Sequence, residues 1–452
     1  MKQITIDIET ASDENIKDCG VYRYAESECF DLLLVSYAVD NGPVATCDIA
    51  NGETLPDDVR NALTDKTVIK KAFHVNFERI CLSVYLRRRY PEMLDFEDST
   101  GSYLDPVSWQ CDMIHCRYLG MLSSLDDMGR LLRLKEKKMA EGKELIRFFC
   151  TLHQEADGSI LFHDKSDAPK KWEKFKAYNR RDVEVELKIQ RYLSEFPVPE
   201  FVWEEFYIDQ EINDRGILVD TSFAKKAVEL DGQVKKALLP KLKELTGLDN
   251  PNSPVQMKEW LMCRDIETDT LDKKFMQKIS GSAPEEVQEV LRLYQQLSKS
   301  SVQKYTTMLR VVCADGRARG MFSFYGANRT GRFAGRLIQL QNLPQNHLDD
   351  LAELKEQIRT GEFDTIKENY DDVPDVLSQL IRTAFIPPEG KKYVVADFSA
   401  IEARVLAWLA DEKWRMQAFA NGEDIYCASA SKMFGVPVEK NGTNGHLRQK
   451  GK

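Results

Sequence analysis

The sequence predicts an α/β domain, then a mainly helical region, then a return to mixed α/β structure. Three observations carry this reading. Residues 1–10 and 31–40 have strand character, and Leu32 to Val39 is almost continuously apolar, as in a central strand covered on both faces. From 200 to 313 the pattern is helical nearly throughout. A glycine-rich, basic stretch over 320–345 then leads towards a short β-rich run, Tyr393-Val-Val-Ala396, with a helix behind it.

In chain order, Val68 to Phe73 is a further strand. Phe77–Arg88, Leu125–Leu134, Glu144–Cys150 and Trp172–Leu193 show the spacing of helices. Phe196-Pro-Val-Pro199 marks a boundary, because two prolines within four residues interrupt regular structure. Phe201–Arg215 is a helix stopped by Gly216, and Ser222–Leu245 is one stopped by Gly247. Ser253-Pro254 supplies a capping hydroxyl and a proline at the first helical position. Pro284 to about Val312 reads as one long helix, able to form an arm with its predecessor. The implied domains are 1–195, 196–319, 320–410 and 411–452.

A chain of 452 residues with 42% apolar and 30% charged residues has material for several soluble cores. No apolar run is long enough to span a membrane, and the N-terminus enters a strand with no secretory apolar region. The ten cysteines form no Cys-x-x-Cys pair, and Cys111 and Cys116 lack further zinc ligands. Reduced thiols in a cytoplasm are expected. The net charge of −10 weighs little against nucleic acid, because local fields decide such binding. Between 304 and 336, Lys304, Arg310, Arg317, Arg319, Arg329, Arg332 and Arg336 are opposed only by Asp315, as in a groove for a polyanion.

Four carboxylates point to chemistry. Asp7 and Glu9 lie two apart on a strand and so share a face. Glu78 opens a helix after a strand. Asp182 follows Tyr178 by four residues, on one helical face. Clustered carboxylates repel, and a divalent cation relieves the repulsion. Such a set suits two Mg²⁺ ions, with Mn²⁺ as a substitute, because hard cations take oxygen ligands. Two ions suit phosphodiester hydrolysis, one activating water and one stabilising the leaving oxygen, with Tyr178 orienting the water. The set resembles the tyrosine-bearing branch of the DEDD 3′–5′ exonucleases. Asp7-Ile-Glu9-Thr and Tyr178 to Asp182 match two motifs. Phe77-Glu78 matches the third in part, with His74 and Glu78 where asparagine and aspartate are common. The resemblance implies an RNase H-like fold, with Asp7, Glu9, Glu78 and Asp182 as metal ligands and single-stranded 3′ ends as substrate. Ser124 to Leu132 and Lys138 to Ile146 resemble linking segments of phage-type polymerase exonucleases; both are read as structural, with Lys143 a candidate to stand near DNA.

Beyond residue 200 the chain resembles family A DNA polymerases of phage type. Asp214-Arg-Gly-Ile-Leu-Val-Asp220 and Leu297-Ser-Lys-Ser-Ser-Val-Gln-Lys-Tyr305 carry part of the likeness. Thr330-Gly-Arg-Phe-Ala-Gly-Arg336 and Gln341-Asn-Leu-Pro344 carry more, since small residues let the backbone approach DNA and the polar side chains reach its groove. Tyr393-Val-Val-Ala-Asp-Phe-Ser-Ala-Ile-Glu-Ala-Arg404 resembles the palm signature.

That resemblance implies contacts from Arg332, Arg336, Gln341 and Asn342 near the primer–template junction. Asp397 and the Phe398 carbonyl would hold Mg²⁺, and Glu402 would pack beneath the sugar. Arg404 would be an ion-pair partner. Arg448 and Lys452, at helical spacing, would grip the triphosphate of a dNTP. Ala400 stands where glutamine is common.

No histidine-aspartate-glutamate motif comes after it, and His163-Asp164-Lys165 has a different continuation. The expectation is therefore a chain that stops within the fingers, carrying a helical thumb, a partial palm and an incomplete synthetic site. It would be a cytoplasmic monomer without membrane contact. Its alternatives are a stand-alone exonuclease or a catalytically silent DNA-binding fragment.

Overall fold

The computed structural model describes residues 1–94, 103–135, 139, 141–154, 158, 160–279, 282–327 and 330–452, with the side chains of Lys273 and Gln277 left aside. Arg329 and part of the 138–146 segment lie outside the described residues. The chain divides into two compact units, 1–388 and 389–452.

The first unit begins with a five-stranded sheet. β1 (Gln3–Ala11), β2 (Asp31–Val39), β3 (Val44–Asp48), β4 (Ile69–Ala72) and β5 (Trp109–Cys111) lie in the order β3-β2-β1-β4-β5. β1, β2 and β3 are antiparallel neighbours, while β4 and β5 run parallel to β1. Alternation decides which side chain meets which layer. Ile4, Ile6 and Ile8 join a core with α1 (Ile16–Glu26), α2 (Asp57–Thr64), α3 (Val75–Arg89) and α4 (Asp112–Tyr118). Helix α5 (Leu125–Leu131) brings Leu125 and Met128 against Val185 and Ile189. Ala11 and Leu34 join a further core with α6 (Gly142–Cys150) and α7 (Pro169–Leu193). Asp7 and Glu9 therefore face α7, as the period of two requires.

Helix α8 (Glu200–Arg215) ties the sheet region to the helical region, and Gly216 ends it with φ +59°. Arg79, 0% exposed on α3, makes a bidentate ion pair with Asp214 of α8 at 2.7 and 2.8 Å. Tyr22 donates to the same carboxylate at 2.6 Å. Helix α9 (Thr221–Thr246) serves two cores. Its first half packs with the helix Gln303–Val311, and its end packs with Pro254–Met262 and Glu285–Leu297. Ser253 caps its helix as expected, accepting from Gln256 N.

The long helix expected over 284–312 is broken. Glu285–Leu297 and Gln303–Val311 are separate helices joined by a 3₁₀ turn at Ser300–Val302. The polar run Ser298-Lys-Ser-Ser301 explains the break, because serine hydroxyls compete with the helical ladder. Helix α5 also stops earlier than its periodicity predicts, at Leu131.

The second unit holds the helices Ile401–Leu409, Lys413–Ala420 and Ile425–Phe434. The strand expected at 393–396 does not form there: residues 391–398 carry no regular structure. A strand needs a neighbour for its N–H and C=O groups, and no described residue pairs with this run. Val394 and Val395 are 86% and 90% exposed. All ten cysteines are free thiols. Among the described residues, no helix is long and apolar enough to cross a membrane.

Candidate functional sites

The four N-terminal acids converge although up to 175 positions separate them in the chain (Asp7 to Asp182). Glu9, Glu78 and Asp182 are buried and Asp7 is half-buried. Helix α7 supplies Tyr178, 1% exposed, whose phenol is driven far above its ordinary pKa by burial and then by Glu9, Asp182 and Asp7. It stays a neutral hydroxyl bonded to Asp182. Glu78 is raised well above the carboxylate range by burial and by Asp7, and its Oε2 is buried without a hydrogen-bond partner.

Two local features fix this geometry. Asn179, fully buried, donates from Nδ2 to Asp7 Oδ2 at 2.6 Å. The Tyr178 ring lies over Gly142, where a Cβ would stand 2.2 Å from Cε2 of the ring. Phe149, Phe175 and Tyr178 stack in series, with centroids 5.2 and 6.3 Å apart, and wall the site on one side.

Sequence reasoning missed a second polar layer behind the acids. Glu186, 1% exposed, is bonded to the buried Asp112. Burial and Asp112 push the Glu186 carboxyl well above its ordinary range, with smaller contributions from Asp7 and Glu78. Gln190 bridges the pair, donating to Asp112 Oδ2 at 2.6 Å and Glu186 Oε1 at 3.2 Å, and it accepts from Thr5 Oγ1 at 3.0 Å. The available signal was the spacing of four that continues from Asp182 to Glu186 and Gln190 along α7.

Of the basic stretch, part is spent internally. Arg319 is bidentate to Asp315 at 2.8 and 2.6 Å. Arg317 donates to the carbonyls of Arg215 and Gly216 at the end of α8, and Lys304 donates to Ile338 O. Arg310, Arg332 and Arg336 are exposed. Phe322–Ser323 pairs antiparallel with Ala334–Gly335, and this two-stranded ribbon presents Arg332 and Arg336. Gly331 (φ +65°) turns beneath the Tyr325 ring, and Gln341 lies over Gly335. Gln341 and Asn342 are exposed in a short 3₁₀ turn, with Asn342 donating to Gln339 at 3.1 Å. Arg117 donates to Ser323 at 3.2 Å, so the ribbon sits against the sheet region. His74 there is lowered to about 4, by burial first and then by Arg336 and Arg117.

Within the second unit, Glu402, Tyr426 and Lys452 line an open cavity of about 720 Å³. Asp397 and Phe398 belong to the exposed stretch before it, with Phe398 79% exposed. Arg448 pairs with Asp424, the capping residue of the helix at 425, at 2.8 Å and stands over the Tyr426 ring. Lys452 stands over the same ring at 5.9 Å. The helical face expected for Arg448 and Lys452 is replaced by a 3₁₀ turn, Gly445–Gln449, and an irregular end. Gly442, Gly445 and Gly451 disfavour a helix, and Gly451 lies where a Cβ would meet Tyr426 O at 2.2 Å. Arg404 bonds Ser399 O and covers Phe419, an arrangement different from the expected ion pair.

Residues 222–452 match the family described as DNA polymerase family A. The DNA polymerase of Bacillus phage SP02 is 44% identical over the whole of this chain, which covers 68% of that protein. DNA polymerase I of Rhizobium leguminosarum is 42% identical over 95 residues, 21% of this chain and 9% of that protein. In three dimensions the chain is similar to the POL domain of Pol1 from M. smegmatis, solved in complex with DNA primer-template and dNTP. The TM-score is 0.58 at 17% identity, covering 99% of this chain and 65% of that one. These matches do not favour the stand-alone exonuclease or the silent fragment, and the chain belongs to DNA polymerase family A.

Proposed function

We propose that the chain serves template-directed DNA synthesis, with a proofreading 3′–5′ exonuclease of RNase H-like fold in residues 1–195. The thumb then occupies 196–319, the palm 320–410 and the start of the fingers 411–452. The observation that carries the exonuclease reading is the convergence of Asp7, Glu9 and Asp182 on Tyr178, with Glu78 against Asp7. The sheet order, three antiparallel strands followed by two parallel ones, supports it.

The donor set suits magnesium by its chemistry. All donors are carboxylate oxygens, and Glu78 keeps a buried oxygen without a partner. Among the described residues, no three His, Cys, Asp or Glu side chains stand close enough to hold an ion as they are. Asp7, Glu9, Glu78 and Asp182 would hold the two ions, which when bound supply charge neutralisation and an acidified water. The protein's own part is separate. Asn179 fixes the Asp7 carboxylate, and Tyr178 keeps its proton at a place from which it orients a water or the 3′ end. The aromatic wall limits water access on that side.

For synthesis, Asp397 and the Phe398 carbonyl would hold the palm ion, and Glu402 would meet the sugar. Arg448 and Lys452 would meet the triphosphate. Arg332, Arg336, Gln341 and Asn342 would contact primer–template DNA. Asp397 is the one palm carboxylate motif read in these 452 residues, and two-metal transfer needs a partner carboxylate.

With Mg²⁺, the chain should shorten 5′-labelled single-stranded DNA from its 3′ end, and Asp7→Ala and Asp182→Ala should abolish this. Equal inertness of wild type and both variants in Mg²⁺ and Mn²⁺ rejects the exonuclease. The same polypeptide should not extend a primer. Robust extension that Asp397→Ala removes would overturn the proposed need for a further carboxylate.

A further inference from the structure

Helix α7 has a second functional face. Its inner side carries Tyr178, Asn179 and Asp182. Its outer side lines an open groove of about 820 Å³ against the β2–β3 turn, Gln3 of β1 and Lys71 of β4. Lys71, Arg180, Arg181, Lys188 and Arg191 face this groove, and Glu184 is its only carboxylate. Arg181 is paired with Glu184 at 3.3 Å. Arg180 and Arg191 are exposed and have no ion-pair partner among the described residues. In a chain of net charge −10, Arg180 and Arg191 are thus two groove cations that no ion pair among the described residues accounts for.

We propose that this groove binds the phosphate backbone of single-stranded DNA, apart from the acid site. Arg180 and Arg191 stand about 16 Å apart along the helix axis, a reach of several successive phosphates. Among the described residues no aromatic side chain lines the groove, so they offer no stacking platform. Binding there is electrostatic, indifferent to base identity and steeply dependent on salt. Because both faces belong to one rigid helix, a strand held outside is kept in register with the acids inside. The groove rests on the exonuclease reading only for the choice of DNA as its polyanion.

The test is fluorescence anisotropy of a labelled oligo(dT) 20-mer with the whole chain in EDTA, across a series of NaCl concentrations. EDTA removes hydrolysis, so binding is read whether or not the acid site is active. Arg180→Ser/Arg191→Ser should weaken binding about tenfold at low salt and reduce the slope of log K against log salt by about 1.4, near 0.7 for each lost contact. Lys17→Ser, exposed on α1 and not part of the groove lining, controls for net charge and should not lower the slope to the same extent. Circular dichroism melts should match wild type. A double variant with unchanged affinity and slope overturns the proposal, as does one no different from Lys17→Ser once the number of charges removed is allowed for. An exonuclease-dead chain that still shows the slope change would reject the nuclease reading and leave the groove standing.

Discussion

At Gly142 a Cβ would stand 2.2 and 2.8 Å from carbons of the Tyr178 ring, so the tyrosine has its position only because this residue has no side chain. Gly142→Ala should displace the ring at a cost of about 1–3 kcal/mol, the usual range for overpacking. For the exonuclease proposed above, the rate should fall more than the stability, as compared by single-turnover hydrolysis and urea unfolding. Asn179→Ala removes a bond to a charged group, a contribution of about 1.5 kcal/mol or more. Hydrolysis should drop at least about tenfold while the fold survives. An unchanged rate would show that Asp7 needs no such anchor. Both residues sit inside recognisable motif segments, yet neither role could be read there. Tyr178 and Asp182 share a helical face by spacing alone, whereas the partner of Asn179 sits 172 positions away.

Elements were legible where their signals were local. β1, β2 and α7 follow their apolar periods, and Gly216 and Gly247 end helices α8 and α9 with positive φ. The run at 393–396 has the composition of a strand and fails to become one, since a strand is completed by its neighbours. The result is exposed apolar surface: Val394, Val395, Phe398, Leu406, Trp408 and Leu409 are all at least 60% exposed. The 452-residue polypeptide should therefore bind an apolar dye and aggregate as concentration rises. Leu406→Lys/Leu409→Lys should reduce both, read by dye fluorescence and light scattering. In the ribbon, Gly331→Ala would put a Cβ 2.7 Å from the Tyr325 ring at φ +65°. The expected loss is about 1 kcal/mol or more, with weaker primer–template binding.

Across the molecule, the buried Arg79–Asp214 pair joins the sheet region to α8. Asp214→Ala would leave Arg79 charged and unpaired, and should cost about 3–5 kcal/mol in denaturant unfolding. Nearby, burial raises Asp209 from 3.8 to about 7, with Oδ1 left without a partner. Its neutral form is favoured by folding. Its contribution is fully present below pH 3.8 and is lost as pH rises towards 7, because the unfolded chain releases the proton first. The loss is on the order of 4 kcal/mol. Asp209→Asn should flatten this part of the pH–stability curve and make the protein more stable above pH 7. A curve unchanged by the substitution would contradict the burial cause.

The sequence by itself determined the family, and which of its acids share a strand face or a helical face. Those features reside in short motifs whose spacing of two on a strand or four on a helix orients side chains without outside help. Only the tertiary structure decided that Glu186, Asp112 and Gln190 stand behind the acids, that Arg317 and Arg319 are consumed by folding, and that α7 turns a basic face outward. Those outcomes depend on which distant segment covers a given surface. Charge and hydrogen-bonding groups find their partners across the fold, and composition does not say which of them the fold will use.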